Sequence, residues 1–274
     1  MTALPAWEPL VRVGAFIGVL LIMLAWERRA PRRTDIPRRG RWFVNAALVL
    51  VDTAIVRLLG PLLPVAVAVV AADRGWGLFH AVAWPLAVTI PLTIVLMDLA
   101  IYWQHRLFHR IPLFWRLHRV HHSDTGFDAT TGVRFHPAEI VVSLLWKLIV
   151  VTALGAPVIG VVVFEIVLSA TSLFNHGNVR MPGGVDAALR RVIVTPDMHR
   201  VHHSSTVAET DSNFGFNLSL WDRLFGSYRA QPAAGHRDMQ IGLKAFRTSA
   251  DQRLPALLTQ PVVPITVPTH HDGA

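Results

Sequence analysis

Three stretches of this chain are too long and too apolar to be the core of an ordinary soluble domain. Trp42–Ala72 runs for 31 residues with only Asp52 and Arg57 charged, Gly75–Met97 carries no charge, and Ile140–His176 is interrupted only by Lys147 and Glu165. A shorter run, Val13–Trp26, precedes them, with Arg12 placed to snorkel from its start. In hydrocarbon the backbone has no water to bond to, so a chain of this kind must satisfy its own amides, by helices or by a closed barrel. Unbroken apolarity without alternation selects helices. As one helix, the 37 residues from 140 to 176 would reach roughly 55 Å, against a hydrocarbon thickness of about 30 Å. Gly155-Ala156-Pro157 supplies a turn near the middle, so the block reads as two crossing helices.

Composition narrows the chemistry. The chain has no cysteine, which excludes disulfides, thiolate zinc sites and protein-borne iron–sulfur clusters. Any metal must be held by nitrogen and oxygen. Of the 26 basic residues 24 are arginine, and they flank the apolar runs instead of forming a nucleic-acid-binding stripe; no nucleic-acid partner is expected. The 28–41 segment holds seven arginines against Asp35 alone, and residues 105–137 add five more. By the positive-inside rule these segments lie on the cytoplasmic side of a bacterial inner membrane, an origin that the arginine- and alanine-rich composition also suggests. Glu8 ahead of the first apolar run and Trp26-Glu27-Arg28-Arg29 after it speak for an anchor helix over a cleaved leader.

Ten of the fourteen histidines lie between residues 105 and 203, and eight of these form three boxes: His105-x3-His109, His118-x2-His121-His122 and His199-x2-His202-His203. Spacings of three and four place the rings on one face of a helix. Pro112 and Thr195-Pro196 mark helix starts ahead of the second and third boxes. Two crossings separate the second box from the third, which keeps all three on one side of the membrane. His118-Arg-Val-His-His-Ser123 recurs letter for letter at 199–204, as two similar half-sites would require. Eight or more imidazoles are too many for one ion and suit two, with four or five each. Iron with oxygen chemistry fits an all-imidazole, cysteine-free site, although zinc and manganese share these ligands. Asp98, Tyr102, His105 and His109 step by four, three and four along one stripe, so Asp98 is expected to support an imidazole from two turns below or else to join a buried polar network, for instance with Arg57.

With these motifs in place, the chain resembles the fatty acid hydroxylase/sterol desaturase superfamily of membrane di-iron oxidases. The resemblance covers roughly Asp98 to Tyr228 and rests on the three boxes together with Arg134-Phe-His136-Pro137-x-Glu139, Asn175-His176 and Trp221-Asp222-Arg223-Leu-Phe225-Gly226. It implies an all-α integral-membrane bundle of about four to five transmembrane helices, with a histidine-lined di-metal site under a cytoplasmic helical cap. It also implies two non-heme iron ions, O2 as co-substrate, and hydroxylation or desaturation of a lipid C–H bond. The implied metal ligands are His105, His109, His118, His121, His122, His176, His199, His202 and His203. Asp98, His136 and Glu139 are candidates for supporting them, with His136 equally readable as a helix-start residue. Ser172 stands where fatty acid 2-hydroxylases tend to have another ligand. Trp221–Gly226 reads as packing for the cap, and His80, His236, His270 and His271 as bystanders.

The chain carries neither a heme-binding His-Pro-Gly-Gly nor a Gly-x-Gly-x-x-Gly turn. Electrons are therefore expected from a separate ferredoxin, cytochrome or reductase docking on the basic face. Residues 1–254 are expected to form one membrane-embedded domain with its histidine core at 98–228, followed by a flexible proline-rich tail at 255–274. Two alternatives stand beside the oxidase: a membrane metal-ion transporter, which wants its ligands near the midplane, and a histidine-rich zinc hydrolase.

Overall fold

The computed structural model describes residues 7–37, 40–60 and 63–265, so Arg38, Arg39, His270 and His271 lie outside the described residues. The first part of the chain forms α1 (Glu8–Arg29), α2 (Arg41–Leu58), α3 (Pro64–Arg74), α4 (Leu78–Val82), α5 (Leu86–Arg110) and α6 (Pro112–His122). The second part forms α7 (Pro137–Leu154), α8 (Val158–Asn175), α9 (Gly183–Leu189), α10 (Pro196–His202), α11 (Val207–Thr210), α12 (Leu220–Leu224), α13 (Gly235–Asp238) and α14 (Leu254–Thr259). A 3-10 turn spans Ala129–Val133. Three isolated bridges, and no strand, occur among the described residues.

Five stretches are long and apolar enough to cross a membrane: α1, Pro64–Val82, α5, α7 and α8. Their outward faces are greasy, with Leu10, Leu21 and Ile22 on α1 and Leu86 and Val88 on α5 exposed, as a lipid-facing surface requires. Inside, Ala68, Met97, Val151, Val161 and Phe164 pack from four different helices. Lipid solvates apolar groups as well as protein does, so this interior is held by close fit more than by hydrophobic transfer. At one end of the bundle the α3–α4 turn meets the α7–α8 turn. A Cβ at Gly77 would sit 2.0 Å from the Gly155 nitrogen, and Gly155 itself has φ +62, so both positions require glycine.

At the opposite end α5 turns into α6 through a sharp corner. Ile111 is extended (φ −94, ψ 118) because Pro112 follows it, and Pro112 opens α6 at its first position. A 25-residue α5 is about 37 Å long, so its last turns reach beyond the hydrocarbon layer. α6 folds back beside them. Over both lies the segment 123–136, fixed by buried charge: Arg41 donates to Asp124 at 2.6 and 3.1 Å and to Asp128 at 2.8 Å. Arg134, with no solvent exposure, donates to the Val120 carbonyl and to Ser123 Oγ. Stranding one partner of such a buried pair costs about 3–5 kcal/mol.

Two expectations need correction. Residues 254–262 are helical, not a loose tail: Leu257 is fully buried against α2 and α6, and Arg119 of α6 donates to the carbonyls of Gln260 and Val263. Proline enrichment here starts short helices instead of preventing them, since Pro255 and Pro261 occupy first-turn positions. Arg12 does not snorkel to a headgroup layer; it is drawn inward to Glu165 of α8.

Candidate metal centre

Nine histidines converge at the α5–α6 end of the bundle in two groups. His105 and His109 of α5, His118 and His122 of α6 and His202 of α10 form one; His121 of α6, His176 at the end of α8, and His199 and His203 of the third box form the other. Within each group one ligand atom per residue lies within 4.8 Å of every other. All nine are buried. The groups adjoin one another, with the rings of His122 and His203 stacked 4.6 Å apart. Alternation along α6 explains the split: His118 and His122, four apart, serve the first group, and the intervening His121 points to the second.

Outer partners fix the rings. His105 Nδ1 meets the Phe214 carbonyl at 2.9 Å, His202 Nδ1 that of Ser212 at 2.7 Å, His121 Nδ1 that of Arg134 at 3.2 Å and His176 Nδ1 that of Ser172 at 2.8 Å. Two rings meet carboxylates, His109 with Asp211 at 3.2 Å and His118 with Glu139 at 2.6 Å. A carbonyl can only accept, so in each of the four carbonyl contacts Nδ1 carries the proton and Nε2 presents a lone pair. The Nε2 atoms of His121 and His176 are 3.1 Å apart. Both are lone-pair atoms by that argument, and such an approach is repulsive unless a cation lies between or beside them. The buried Nε2 atoms of His105 and His202 are lone-pair atoms by the same argument and have no hydrogen-bond partner among the described residues. Burial pushes His118 down to about 3 and His176 to about 4. It also holds His122, His202 and His203 well below the usual imidazole range, helped by their neighbours. The cluster is therefore a set of neutral, oriented imidazoles, the form that binds metal, and the donor set fits two ions.

A cavity of about 340 Å³ opens beneath the centre, lined at that end by His105, His118, His121 and His199. Its walls include Ile101, Phe108, Val133, Phe135, Leu168 and Phe216.

Known proteins share this arrangement of sequence. The fatty acid hydroxylase family matches residues 90–227, which contain all nine clustered histidines. This chain belongs to that family. An ornithine lipid hydroxylase from Rhizobium tropici is 31% identical over 232 residues, 82% of this chain and 69% of that protein. An alkylglycerol monooxygenase from Danio rerio is 28% identical over 220 residues, 78% of this chain and 46% of that protein. The human alkylglycerol monooxygenase is 30% identical over 138 residues, 49% of this chain and 29% of that protein. The chain thus spans about two thirds of the first relative and less than half of the other two. No solved structure matches.

Within this fatty acid hydroxylase fold, the remaining sequence candidates take different places. Glu139, in the first turn of α7, lies directly behind His118. His136 belongs to neither histidine group: its Nδ1 accepts from the Ala138 amide as the N-cap of α7, and its Nε2 lies 3.1 Å from the Leu258 carbonyl. Of its two readings, these contacts match the helix-start one. Ser172 donates to the Gly132 carbonyl and holds His176 through its own backbone oxygen. His236 is buried beside Asp197, 3.7 Å away, outside both groups.

Among the described residues, Asp98 touches no imidazole and no arginine. It accepts from the Asn217 and Leu218 amides at 3.1 Å each and from Trp221 Nε1 at 2.8 Å. The α5 stripe is real, but it docks on a chain segment: Tyr102 meets Ser227 at 2.8 Å, His105 the Phe214 carbonyl and His109 Asp211. Asp222 completes that dock by accepting from the Phe214 and Gly215 amides at 2.7 and 2.8 Å, and burial pushes its carboxyl up to about 6. The Trp221–Gly226 motif, read as packing alone, thereby holds in place the carbonyl that orients His105. Sequence reasoning missed Asp211, Ser212, Phe214 and the positioning roles of Arg134 and Asp222. Three of these act through backbone carbonyls, which any residue type supplies.

Proposed function

We propose that this chain is an O2-dependent di-iron hydroxylase acting on an alkyl carbon of a membrane lipid. Family membership makes it an oxidoreductase of the membrane lipid-hydroxylase type. The observation that carries the finer reading is the pair of adjoining, neutral, outward-anchored histidine groups opening onto an apolar cavity. Iron held by five histidines in one group and four in the other would supply the reduction of O2 with electrons from outside, one oxygen atom entering the C–H bond and the other leaving as water. The chain's own residues do the rest. Carbonyls and carboxylates at the Nδ1 atoms of His105, His109, His118, His121, His176 and His202 keep their Nε2 atoms aimed inward, and the buried setting excludes bulk water. The apolar wall formed by Phe108, Phe135 and their neighbours aligns an alkyl segment beneath the centre.

The relatives' names support hydroxylation over desaturation: an ornithine lipid hydroxylase and two alkylglycerol monooxygenases all insert oxygen by title. A lipid substrate accounts for residence in the membrane. The arginine-rich helix ends lie at the histidine end, with Arg29, Arg41, Arg110 and Arg119 all closing or opening helices there. This supports a cytoplasmic site reached by a separate electron donor. Metal analysis of the purified protein should return iron near two per chain, and cells supplied with labelled O2 should accumulate a lipid carrying one labelled oxygen only when the gene is present. A purified active enzyme holding zinc alone, or an oxygenated lipid that draws its label from water, would overturn the reading.

A further inference from the structure

The cavity has a second end that oxygen chemistry does not require. Arg12 of α1, Lys147 of α7 and Glu165 of α8 line the same space as His105 and His118. Arg12 Nη1 lies 2.8 Å from Glu8 Oε1 and 2.7 Å from Glu165 Oε2, and Lys147 Nζ lies 3.0 Å from Glu165 Oε1. Glu8 and Glu165 are buried, while Arg12 and Lys147 keep partial exposure. All four belong to helices that cross the membrane. Along α7, Lys147 is eight residues beyond Glu139, about 12 Å at helical rise; along α8, Glu165 is seven residues before Ser172, about 10 Å. The quartet therefore sits well inside the bilayer, remote from the histidines, with walls between that are mainly apolar but include Gln104, Ser143 and Ser169.

Ionisable groups at such depth are costly and face a cavity or one another; they commonly mark a substrate path. Two features distinguish this quartet from a closed structural ion pair. It is charge-balanced, two cations against two carboxylates, so it demands no counter-ion from a ligand. Yet its donors are not used up. Among the described residues both ion pairs of Arg12 run through Nη1, and Lys147 has one hydrogen bond, to Glu165, for its three donor positions. Arg12 and Lys147 therefore bring unspent donors to the cavity lining, beside Glu165 Oε2, which is ion-paired to Arg12 but accepts no hydrogen bond.

We propose, on the basis of the lipid-oxidation reading above, that the Glu8–Arg12–Lys147–Glu165 quartet docks an oxygen function of the substrate. A hydroxyl, carboxylate or ester carbonyl would accept from Arg12 and Lys147, leaving the alkyl segment to run along the apolar wall to the histidines. The distance between the two ends then selects which carbon is presented. The substrate class narrows to lipids with a hydrogen-bond-accepting oxygen on the far side of the reacting carbon, and excludes a plain terminal methyl at that end.

The test uses the iron-loaded protein in lipid nanodiscs and three photo-crosslinking probes of equal chain length. One is an alkane, one a primary alcohol and one a carboxylate, each with a diazirine at the opposite end. The alcohol and carboxylate should label peptides bearing Phe108 or Phe135, and the alkane should label weakly and without a preferred site. Lys147→Met and Arg12→Gln should each cut alcohol labelling about tenfold, as expected for one lost charge-assisted hydrogen bond. If a single change strands Glu165 and the protein does not fold, the charge-neutral pair Lys147→Gln with Glu165→Gln decides, with the same loss expected. Equal labelling by alkane and alcohol, labels placed at the quartet instead of the histidine end, or unchanged labelling in folded variants would overturn the proposal. Labelling needs no turnover, so failure of the oxidase reading shows separately, as wild-type protein that binds the alcohol but oxygenates no lipid.

Discussion

The two histidine groups share ligand chemistry but differ in what stands behind them. Behind the five-histidine group are two carboxylates, Glu139 at His118 and Asp211 at His109, with carbonyls of Phe214 and Ser212 at His105 and His202. Behind the four-histidine group, among the described residues, the carbonyls of Arg134 and Ser172 hold His121 and His176, and the Nδ1 atoms of His199 and His203 have no hydrogen-bond partner. A carboxylate draws the Nδ1 proton more strongly than a carbonyl does and makes the opposite nitrogen a better donor. The first group should therefore hold the more electron-rich metal, and the two ions should be inequivalent even though the 118–123 and 199–204 segments are identical in sequence. The repeat supplies the same imidazoles to both groups. The surroundings, drawn from elsewhere in the chain, set each site's character.

His118→Ala or His121→Ala should each lose bound iron and oxygenation by more than the roughly 10–100-fold typical of an outer partner, with the protein still recovered in membranes. Iron content and lipid product measure this. Because the groups adjoin, each variant should impair both ions, and an enzyme retaining near-wild-type activity without His121 would remove that box from the site.

Glu139→Gln should separate the two groups. It should lower iron affinity or rate by about 10–100-fold and perturb one of two Mössbauer signals, that of the five-histidine group. Asp211→Asn should act on the same signal less strongly, since Asp211 is partly exposed and its contact is longer. A change confined to the other signal would reverse the assignment.

Asp98→Asn should act through the dock and not directly on a ligand. Replacing a buried carboxylate that accepts three hydrogen bonds should destabilise the protein by about 1.5–3 kcal/mol, read as a lower unfolding midpoint. Iron should be lost in proportion to unfolding, and adding Arg57→Gln should restore nothing. Rescue by that second change would show a charge pair that the structure does not contain. His136→Ala should be mildest: loss of an N-cap costs about 0.5–2 kcal/mol and should leave both Mössbauer signals unchanged.

Much of the site was legible because its rules are local. Spacings of three and four put rings on one helix face, Pro112 and Pro196 marked the helix starts that aim two of the boxes, and the turn at 155–157 brought His176 back to the same end as His105. The stripe from Asp98 to His109 was legible as a face but not as a dock, because the segment it meets lies more than a hundred residues later. Arg12 was unreadable for the same reason. An arginine near the start of an apolar helix has a general tendency to reach for headgroups, and only the presence of Glu165 on a packed neighbour turns it inward.

By itself, then, the sequence determined the elements that short-range physics controls: membrane-crossing helices from apolar length, the boxes from helical periodicity, and a nitrogen-only ligand set from the lack of cysteine. Tertiary structure alone decided how nine imidazoles divide into five and four, which carbonyls and carboxylates hold six of the rings, and what lies at the far end of the cavity. Those outcomes depend on contacts between residues distant in the chain. Many of them run through backbone atoms that every residue carries, so no pattern of side chains could have announced them.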